Sequence, residues 1–239
     1  MAARMGSRRL PGKSLADIAG RPALAHVIDR LETIADIHGI VVATTDLTED
    51  DPLADVAAQR GASTFRGSPH DVLGRTVGAL RFVDAEVAIQ VTGDCPLIDP
   101  ALVKQGLDAF LSAQVDYVTN RDSGYPLGHC VEVFRSEDLM TIEASTADPA
   151  DREHVTLPYY EEPTPWSVLE VKPLYPSLVR DDIRLTLDTA EDLEVIRAVT
   201  EALGPTAFGV GDAIRWLDAH PDVASLNRHV HQKAAREAA

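Results

Sequence analysis

A short basic stretch at the start of the chain contains the first residues whose types and spacing could do chemistry. Residues 4–13 read Arg4-Met-Gly-Ser-Arg-Arg-Leu-Pro-Gly-Lys13, and no acidic residue precedes Asp17. Glycines let backbone N–H groups approach an anion closely, Ser7 adds a hydroxyl donor, and the basic side chains neutralise negative charge. This segment, the glycine loop, therefore predicts a site for the phosphates of a nucleoside triphosphate.

Two alternatives to that interpretation can be weighed on the sequence. A Walker A loop places Gly-Lys-Ser/Thr after four variable residues, and the spacing around Lys13 does not fit it. A mobile basic N-terminus with no ligand is the second alternative, since chain ends are often poorly ordered.

Two aspartates follow strand-like runs elsewhere in the chain. The run Val87-Ala-Ile-Gln-Val-Thr-Gly-Asp94 is typical of a buried parallel strand, and Ile183-Arg-Leu-Thr-Leu-Asp188 repeats the pattern. Ligands of open α/β sheets bind at the carboxyl edge, where both aspartates are expected. Mg²⁺ prefers one or two carboxylates with phosphate oxygens and waters, so Asp94 and Asp188 are candidate metal ligands. Either aspartate taken alone also fits a helix N-cap.

Length and composition limit the class of protein. The 239 residues, 45% of them hydrophobic, suffice for one large α/β domain or one domain with a small appendage. No apolar run reaches the ~18–20 residues of a membrane span, and no secretory leader is apparent, so we expect a soluble, cytoplasmic protein. The formal net charge of −16 argues against nucleic acid as a partner. The two cysteines show no disulfide or zinc spacing.

Strand-like and helix-like segments alternate along the chain, which predicts an α/β fold. The middle of the chain is richer in strand-like segments, and Gly204-Pro205 is a helix stop signal. We expect a main domain over residues 1–204, with residues 115–172 as a distinct middle part, and a helical extension over 205–239. Helices are predicted over 22–35, 50–60, 69–83, 99–111, 189–203, 211–220 and 222–232, and strands over 39–45, 62–65, 87–92, 115–118, 130–134 and 167–171.

Seven sequence blocks follow one another along the chain: the glycine loop, Val42–Asp46, Phe65–Ser68 with Asp71–Arg75, Thr92–Asp99, Val131–Phe134, Asp151–Thr156 and Leu187–Asp192. In this order they resemble the cytidylyltransferase family of spore coat polysaccharide biosynthesis proteins, related to the enzymes that make CMP-sialic acid and CMP-Kdo. The resemblance runs from residue 3 to about residue 200, and the tail Leu226–Lys233 is also similar to the end of longer family members. It implies a three-layer α/β/α, Rossmann-like fold of the nucleotide-diphospho-sugar transferase (GT-A-like) type with a mostly parallel mixed sheet.

The resemblance also implies an activity and a set of site residues. The activity is transfer of CMP from CTP to an acidic or modified sugar, with release of pyrophosphate and with Mg²⁺ on Asp94 and Asp188, in surface polysaccharide synthesis by a homodimer. The implied catalytic residues are Arg4, Arg9 and Lys13; the nucleotide-binding residues are Gly6, Ser7, Arg66, Ser68 and Arg75; the acceptor-binding residues are Tyr125, Glu132, Arg152 and His154.

This chain departs from the family pattern in two places. Relatives begin with a short apolar strand before the glycine loop, whereas only Met1-Ala2 precedes Ala3-Arg4 here; we expect an upstream start or a replacement for that strand. Relatives also commonly carry an acid where this chain has Cys130, so sugar contacts that need a carboxylate do not carry over to that position.

Other functions remain open on the sequence alone. A glycosyltransferase shares the fold but usually has an Asp-x-Asp metal motif, which Gly93-Asp94-Cys95-Pro96 lacks. A nucleotidyltransferase for another nucleotide or for a phosphonate acceptor, and a non-catalytic nucleotide-binding module, are the remaining alternatives.

Overall fold

The computed structural model describes residues 1–161 and 163–232. The helices of this part of the chain follow the predicted order, with three further helices in the middle. They are α1 (Ala23–Leu31), α2 (Asp51–Gln59), α3 (Val72–Phe82), α4 (Pro100–Ser112), α5 (Ser136–Ser145), α6 (Pro149–Glu153), α7 (Leu157–Tyr160), α8 (Ala190–Leu203), α9 (Val210–Ala219) and α10 (Pro221–Ala224).

The strands are arranged in three hydrogen-bonded groups. β1 and β2 form a small antiparallel pair, and β3 and β4 pair in parallel. The third group has the order β5-β7-β6-β8, in which β7 is antiparallel to both β5 and β6, and β8 is parallel to β6. The bounds are β1 (Asp17–Ile18), β2 (Arg21–Pro22), β3 (Val41–Thr45), β4 (Ser63–Gly67), β5 (Val87–Gln90), β6 (Tyr117–Thr119), β7 (Glu132–Arg135) and β8 (Val168–Glu170).

Helices cover both faces of the four-stranded group. Successive residues of a strand point to opposite faces, and Val133 lies in the core formed with α1, α4, α8 and α9, whereas Phe134 lies in the core formed with α3, α5 and α7. A third apolar cluster packs α1 and α2 against β3. The predicted three-layer α/β/α arrangement is confirmed.

Side-chain caps start several helices at the predicted places. Thr189 and Asp192 form a capping box at α8, in which the Thr189 hydroxyl accepts a hydrogen bond from the Asp192 N–H. Asp99 caps α4, which has Pro100 in its first turn, and Asp71 caps α3. These caps fix the helices that follow the strand ends, where the candidate site residues lie.

A gap separates the β3–β4 pair from β5. The Met1–Ala3 segment bridges it: the Ala3 N–H donates to Ala43 O at 3.2 Å, and the Gly93 N–H donates to Ala2 O at 3.1 Å. Beyond this bridge the gap widens into a cavity of about 850 Å³, which is lined on one side by residues 87–91 and does not include Asp94 or Asp188. Residues 1–3 therefore replace part of the N-terminal strand that the resemblance implies.

Some sequence predictions were wrong in detail. Residues 183–187 form no strand; Arg184 forms an isolated β-bridge with Leu127. β5 pairs with β7 in antiparallel rather than parallel orientation. The helix predicted over residues 222–232 ends at Ala224. Among residues 1–161 and 163–232, no helix combines the length and apolar composition needed to span a membrane.

Gly128 brings two backbone segments into close contact. Its φ of 110° lies in the region that favours glycine, and a Cβ added there would lie 2.6 Å from the Leu185 carbonyl. Residues 183–185 lead directly to Asp188, so this backbone contact helps to position Asp188.

We therefore predict that Gly128→Ala destabilises the protein much more than Gly20→Ala. Both glycines have positive φ, which costs an alanine about 1–2 kcal/mol, but no atom of the described residues lies within 4 Å of a Cβ at Gly20. The backbone clash at Gly128 should add about 1–3 kcal/mol. Urea denaturation of the two variants measures the difference; equal losses of unfolding free energy would show that the clash is relieved without cost.

Candidate active site

The glycine loop is fastened to the end of β3 by a buried carboxylate. Asp50 accepts hydrogen bonds from the backbone N–H groups of Met5 at 2.7 Å and Thr45 at 3.2 Å, and also from the Thr45 hydroxyl. Gly12, with φ of 74°, turns the chain back so that its N–H donates to Met5 O at 3.0 Å. The loop is thereby held at the carboxyl edge of the sheet, and Lys13 follows this turn.

Lys13 lies between the two aspartates that the sequence singled out. Its Nζ donates to Asp94 Oδ2 at 2.7 Å and to Asp188 Oδ1 at 2.8 Å. The backbone brings the carboxylates together as well, because the Leu187 N–H donates to Asp94 O at 2.8 Å. The predicted convergence of the glycine loop with Asp94 and Asp188 is thus present in the structure.

Asp188 is surrounded by positive charge. Besides Lys13, Arg9 Nη2 lies 3.0 Å and Arg184 Nη2 lies 2.5 Å from Asp188 Oδ2. Burial alone would raise the pKa of Asp188, but these three cations hold that pKa below its usual value. Burial alone would lower the pKa of Lys13, but attraction to the two carboxylates raises that pKa above its usual value overall. The Asp188 carboxylate and the Lys13 ammonium are therefore both charged at neutral pH.

The paired aspartates have the right donor chemistry for a magnesium ion bound together with phosphates. Asp94 Oδ2 and Asp188 Oδ1 both contact one cationic atom, Nζ of Lys13, so a single small cation can be reached by both with modest side-chain movement. Mg²⁺ holds its oxygens at about 2.0–2.1 Å and needs only one or two carboxylates when phosphates and waters complete its shell. In the part of the chain that the structure describes, no cluster of three or more His, Cys, Asp or Glu side chains could hold a metal without such help.

The other predicted residues of the glycine loop and the nucleotide site lie on the loop itself, on β4 and on α3. Arg75, on α3, is buried and donates to Ala43 O, within β3, at 3.3 Å and to Ser68 O, just after β4, at 2.6 Å, and so ties β3 to the end of β4. Arg66 donates to Thr45 O at 2.8 Å. Arg4 lies nearby and donates to Pro69 O at 3.3 Å and to Glu153 at 3.0 Å. Within the loop, Gly6 precedes Ser7, whose Oγ accepts from the Leu10 N–H at 3.4 Å.

Glu132, one of the predicted acceptor-binding residues, is buried and fully engaged by its neighbours. Its Oε1 accepts from Tyr117 Oη at 2.6 Å, Thr156 Oγ1 at 2.7 Å and Arg121 Nη2 at 2.8 Å. The Arg121 guanidinium also lies 4.1 Å above the ring centroid of Tyr160. This cluster presents a cation, Arg121, at the end of β6. Neither Arg121 nor the partners of Glu132 could be found by local spacing.

Next to this cluster, Cys130 is a neutral thiol. Burial, with the nearby Glu132 charge, raises the pKa of Cys130 to about 12. Position 130 therefore carries no charge at neutral pH.

Among the described residues, no hydrogen bond or ion pair joins the three remaining acceptor-binding candidates to Lys13. Arg152 forms ion pairs with Asp71 and with Glu143, at 3.2 Å for the latter. Tyr125 is buried, with its hydroxyl 3.4 Å from Gln105 Oε1. His154 follows α6, and its Nε2 is buried without a hydrogen-bond partner among the described residues. Their acceptor role stays a prediction.

Sequence reasoning missed one group of residues that contact the site. Arg184 binds both Asp188 and Asp192, and Asn227 binds Asp192 from the C-terminal extension. Arg184 lies four residues before Asp188, and that spacing was visible in the sequence. Asn227 contacts Asp192 and Arg184, which lie 35 and 43 positions earlier in the chain, and no local spacing signals these contacts.

A three-layer α/β/α fold with a basic glycine loop facing two carboxylates at the sheet edge defines a nucleotide-dependent transferase. Comparison with known proteins narrows this class. The profile described as "Cytidylyltransferase" matches residues 1–208. The chain belongs to the cytidylyltransferase family, as the seven sequence blocks predicted.

Individual relatives agree with this membership. The spore coat polysaccharide biosynthesis protein SpsF of Bacillus subtilis is 34% identical over 231 residues, which cover 93% of this chain and 94% of the relative. The 3-deoxy-manno-octulosonate cytidylyltransferase of Trichlorobacter lovleyi is 39% identical over 111 residues, 46% of this chain and 42% of the relative. The structure of a cytidylyltransferase from Leptospira borgpetersenii superimposes with a TM-score of 0.88 at 29% identity, over 98% of this chain and 97% of the other.

We predict that Asp188→Asn destabilises the protein more than Asp94→Asn. Among the described residues, Asp188 pairs with three cations and its side chain is 10% exposed, whereas Asp94 pairs with Lys13 alone and is 26% exposed. Loss of the Asp188 charge leaves Arg9 and Arg184 short of a partner, at a cost of about 1–3 kcal/mol. Chemical denaturation without ligands measures both variants. Equal stabilities would mean that the cations of Asp188 find other partners.

Proposed function

We propose that this protein transfers CMP from CTP to an acidic or modified sugar and releases pyrophosphate, with Mg²⁺ as cofactor. The observation that carries the proposal is the meeting of Lys13, Asp94 and Asp188 at the sheet edge in a chain of the cytidylyltransferase family. The names of two relatives, one a spore coat polysaccharide protein and one a cytidylyltransferase for an acidic sugar, support an acceptor of this class and a role in surface polysaccharide synthesis.

The chemistry asked of the side chains is mainly electrostatic. An acceptor hydroxyl attacks the α-phosphorus of CTP in line and loses its proton to solvent, while the bond from the α-phosphorus to the oxygen bridging it to the β-phosphorus breaks and pyrophosphate leaves. Asp94 and Asp188 would hold a magnesium ion, which would neutralise charge at the phosphates. Lys13 and Arg9 can exchange their carboxylate partners for phosphate oxygens and so stabilise the negative charge that grows on the leaving group. Arg4 and the N–H groups of the glycine loop would assist there.

We extend the proposal to a division of the chain between the two substrates. We assign Arg66 and Ser68, at the end of β4, and Arg75, on α3, to the nucleotide side. The middle part, residues 115–172, contains Glu132 and would serve the acceptor. The residues beyond 204 would form an extension, although α9 packs Val210, Ile214 and Leu217 into the main core.

We also propose that the enzyme works as a homodimer in the cytoplasm. Three large apolar side chains, Leu174, Tyr175 and Val179, are 68%, 64% and 48% exposed and lie close together along the chain after β8. Such a cluster supports a protein contact. Light scattering of the purified protein measures the mass in solution.

CTP should be the preferred nucleotide. A site that hydrogen-bonds one base rejects the others because its polar groups are then left unpaired, so we expect CTP to be used at least about tenfold better than UTP, ATP or GTP. Pyrophosphate release from each nucleotide with Mg²⁺ and a panel of acidic and modified sugars tests this. Equal use of all four nucleotides would contradict the base preference, and no release with any pair would contradict the activity.

Lys13→Ala should lower kcat/KM for CTP by about 10²–10³-fold, the usual effect of removing one group that stabilises transition-state charge. KM for the acceptor sugar should change little, because Lys13 belongs to the glycine loop. Lys104→Ala removes an exposed lysine with two surface carboxylate partners and serves as the matched control. A raised acceptor KM with an unchanged KM for CTP would show that the glycine loop holds the sugar instead.

A further inference from the structure

A buried chain of polar contacts extends from Asp188 away from Lys13. The side chain of Arg184 is 7% exposed, and its guanidinium contacts Asp188 through Nη2 at 2.5 Å and Asp192 through Nε at 2.9 Å. A planar guanidinium bound at two edges has little freedom to rotate. The position of the Asp188 carboxylate is therefore tied to that of Asp192.

Asp192 is the centre of this network. It is fully buried, and its Oδ2 accepts from the backbone N–H groups of Asp188 at 3.0 Å and Thr189 at 3.1 Å. Its Oδ1 accepts from Arg184 Nε at 2.9 Å and from Asn227 Nδ2 at 2.9 Å. Asp192 thus fixes both the backbone of Asp188 and the arginine that binds the Asp188 side chain. Buried charged groups of this kind hold one geometry only while every member is satisfied.

Asn227 completes the network from the C-terminal extension. It is 3% exposed, and its Nδ2 donates to Asp192 Oδ1 and, at 3.0 Å, to the backbone oxygen of Arg184. Both partners are acceptors, so the two hydrogens of the amide are used and the orientation of the amide is determined. A carboxylate at this position would face Asp192 with like charge, and an aliphatic side chain would leave both acceptors short of a donor.

From these contacts we propose that Asn227 is a positioning residue of the transferase, which sets the Asp188 carboxylate for magnesium through Asp192 and Arg184. The proposal rests on the proposed function, because it assigns Asp188 to the metal. It makes the C-terminal extension part of the support of the active site.

Two variants and one control test the proposal. Asn227→Leu removes the donors while keeping the branched shape of the side chain, and Asn227→Asp also adds a like charge beside Asp192. Ser225→Ala changes an exposed residue of the same segment, whose hydroxyl donates only to Asp222 O in the described structure. Arg184→Lys keeps the charge but loses the two-edged contact, and it provides an independent variant should both Asn227 variants fail to fold.

The readouts separate positioning from a general loss of stability. The Mg²⁺ concentration giving half-maximal pyrophosphate release at saturating CTP should rise about tenfold or more in Asn227→Leu, Asn227→Asp and Arg184→Lys. KM for the acceptor should stay within about twofold, and Ser225→Ala should match the wild type. If the melting temperature falls while the Mg²⁺ dependence is unchanged, Asn227 is structural only and the proposal is overturned.

A measurement without substrates keeps this result distinct from the proposed function. Amide hydrogen exchange of Asp188 and Thr189, whose N–H groups bind Asp192, should be faster in Asn227→Leu than in Ser225→Ala. Unchanged exchange at both amides would overturn the proposal even if turnover fell. If the wild type releases no pyrophosphate from any nucleotide, the proposed function fails, and the exchange rates alone decide whether Asn227 holds Asp188.

Discussion

The ion pairs of Lys13 with Asp94 and Asp188 are the interaction on which the rest of the site depends. They join three segments that are far apart in sequence: the glycine loop, the turn after β5 and the approach to α8. Two carboxylates that both approach the same atom repel each other unless that atom carries positive charge. The Lys13 ammonium therefore holds the three segments together at the edge of the sheet. It also keeps one oxygen of each carboxylate close to the same point, an arrangement that suits a divalent ion.

The surrounding structure restricts the movement of each of these groups. Asp50 fastens the glycine loop to β3, and Arg75 ties β3 to the end of β4. Arg184 contacts both Asp188 and Asp192. The proposed chemistry acts mainly through charge and position and would need such support, because a displacement of about 1 Å can cost a large part of the rate.

Much of this arrangement could be predicted from short-range sequence patterns. Asp94 and Asp188 follow apolar runs, so their meeting at one edge of the sheet could be predicted from the sequence, although residues 183–187 form no strand. The helices of the middle part were missed because their apolar periodicity is weak: α5 buries only Leu139 and Ile142 among its hydrophobic residues. The partners of Glu132 and the role of Asn227 depend on contacts between distant segments, which no local spacing encodes.

The most direct test of the central claim is a crystal structure with a non-hydrolysable CTP analogue and Mn²⁺ in place of Mg²⁺, in which anomalous scattering locates the metal. A manganese peak within coordination distance of both Asp94 and Asp188, with Lys13 Nζ moved from the carboxylates onto a phosphate oxygen, is the predicted result. A nucleotide bound elsewhere, with Lys13 still bridging the two carboxylates and no metal beside them, would contradict the assignment of this edge of the sheet as the active site.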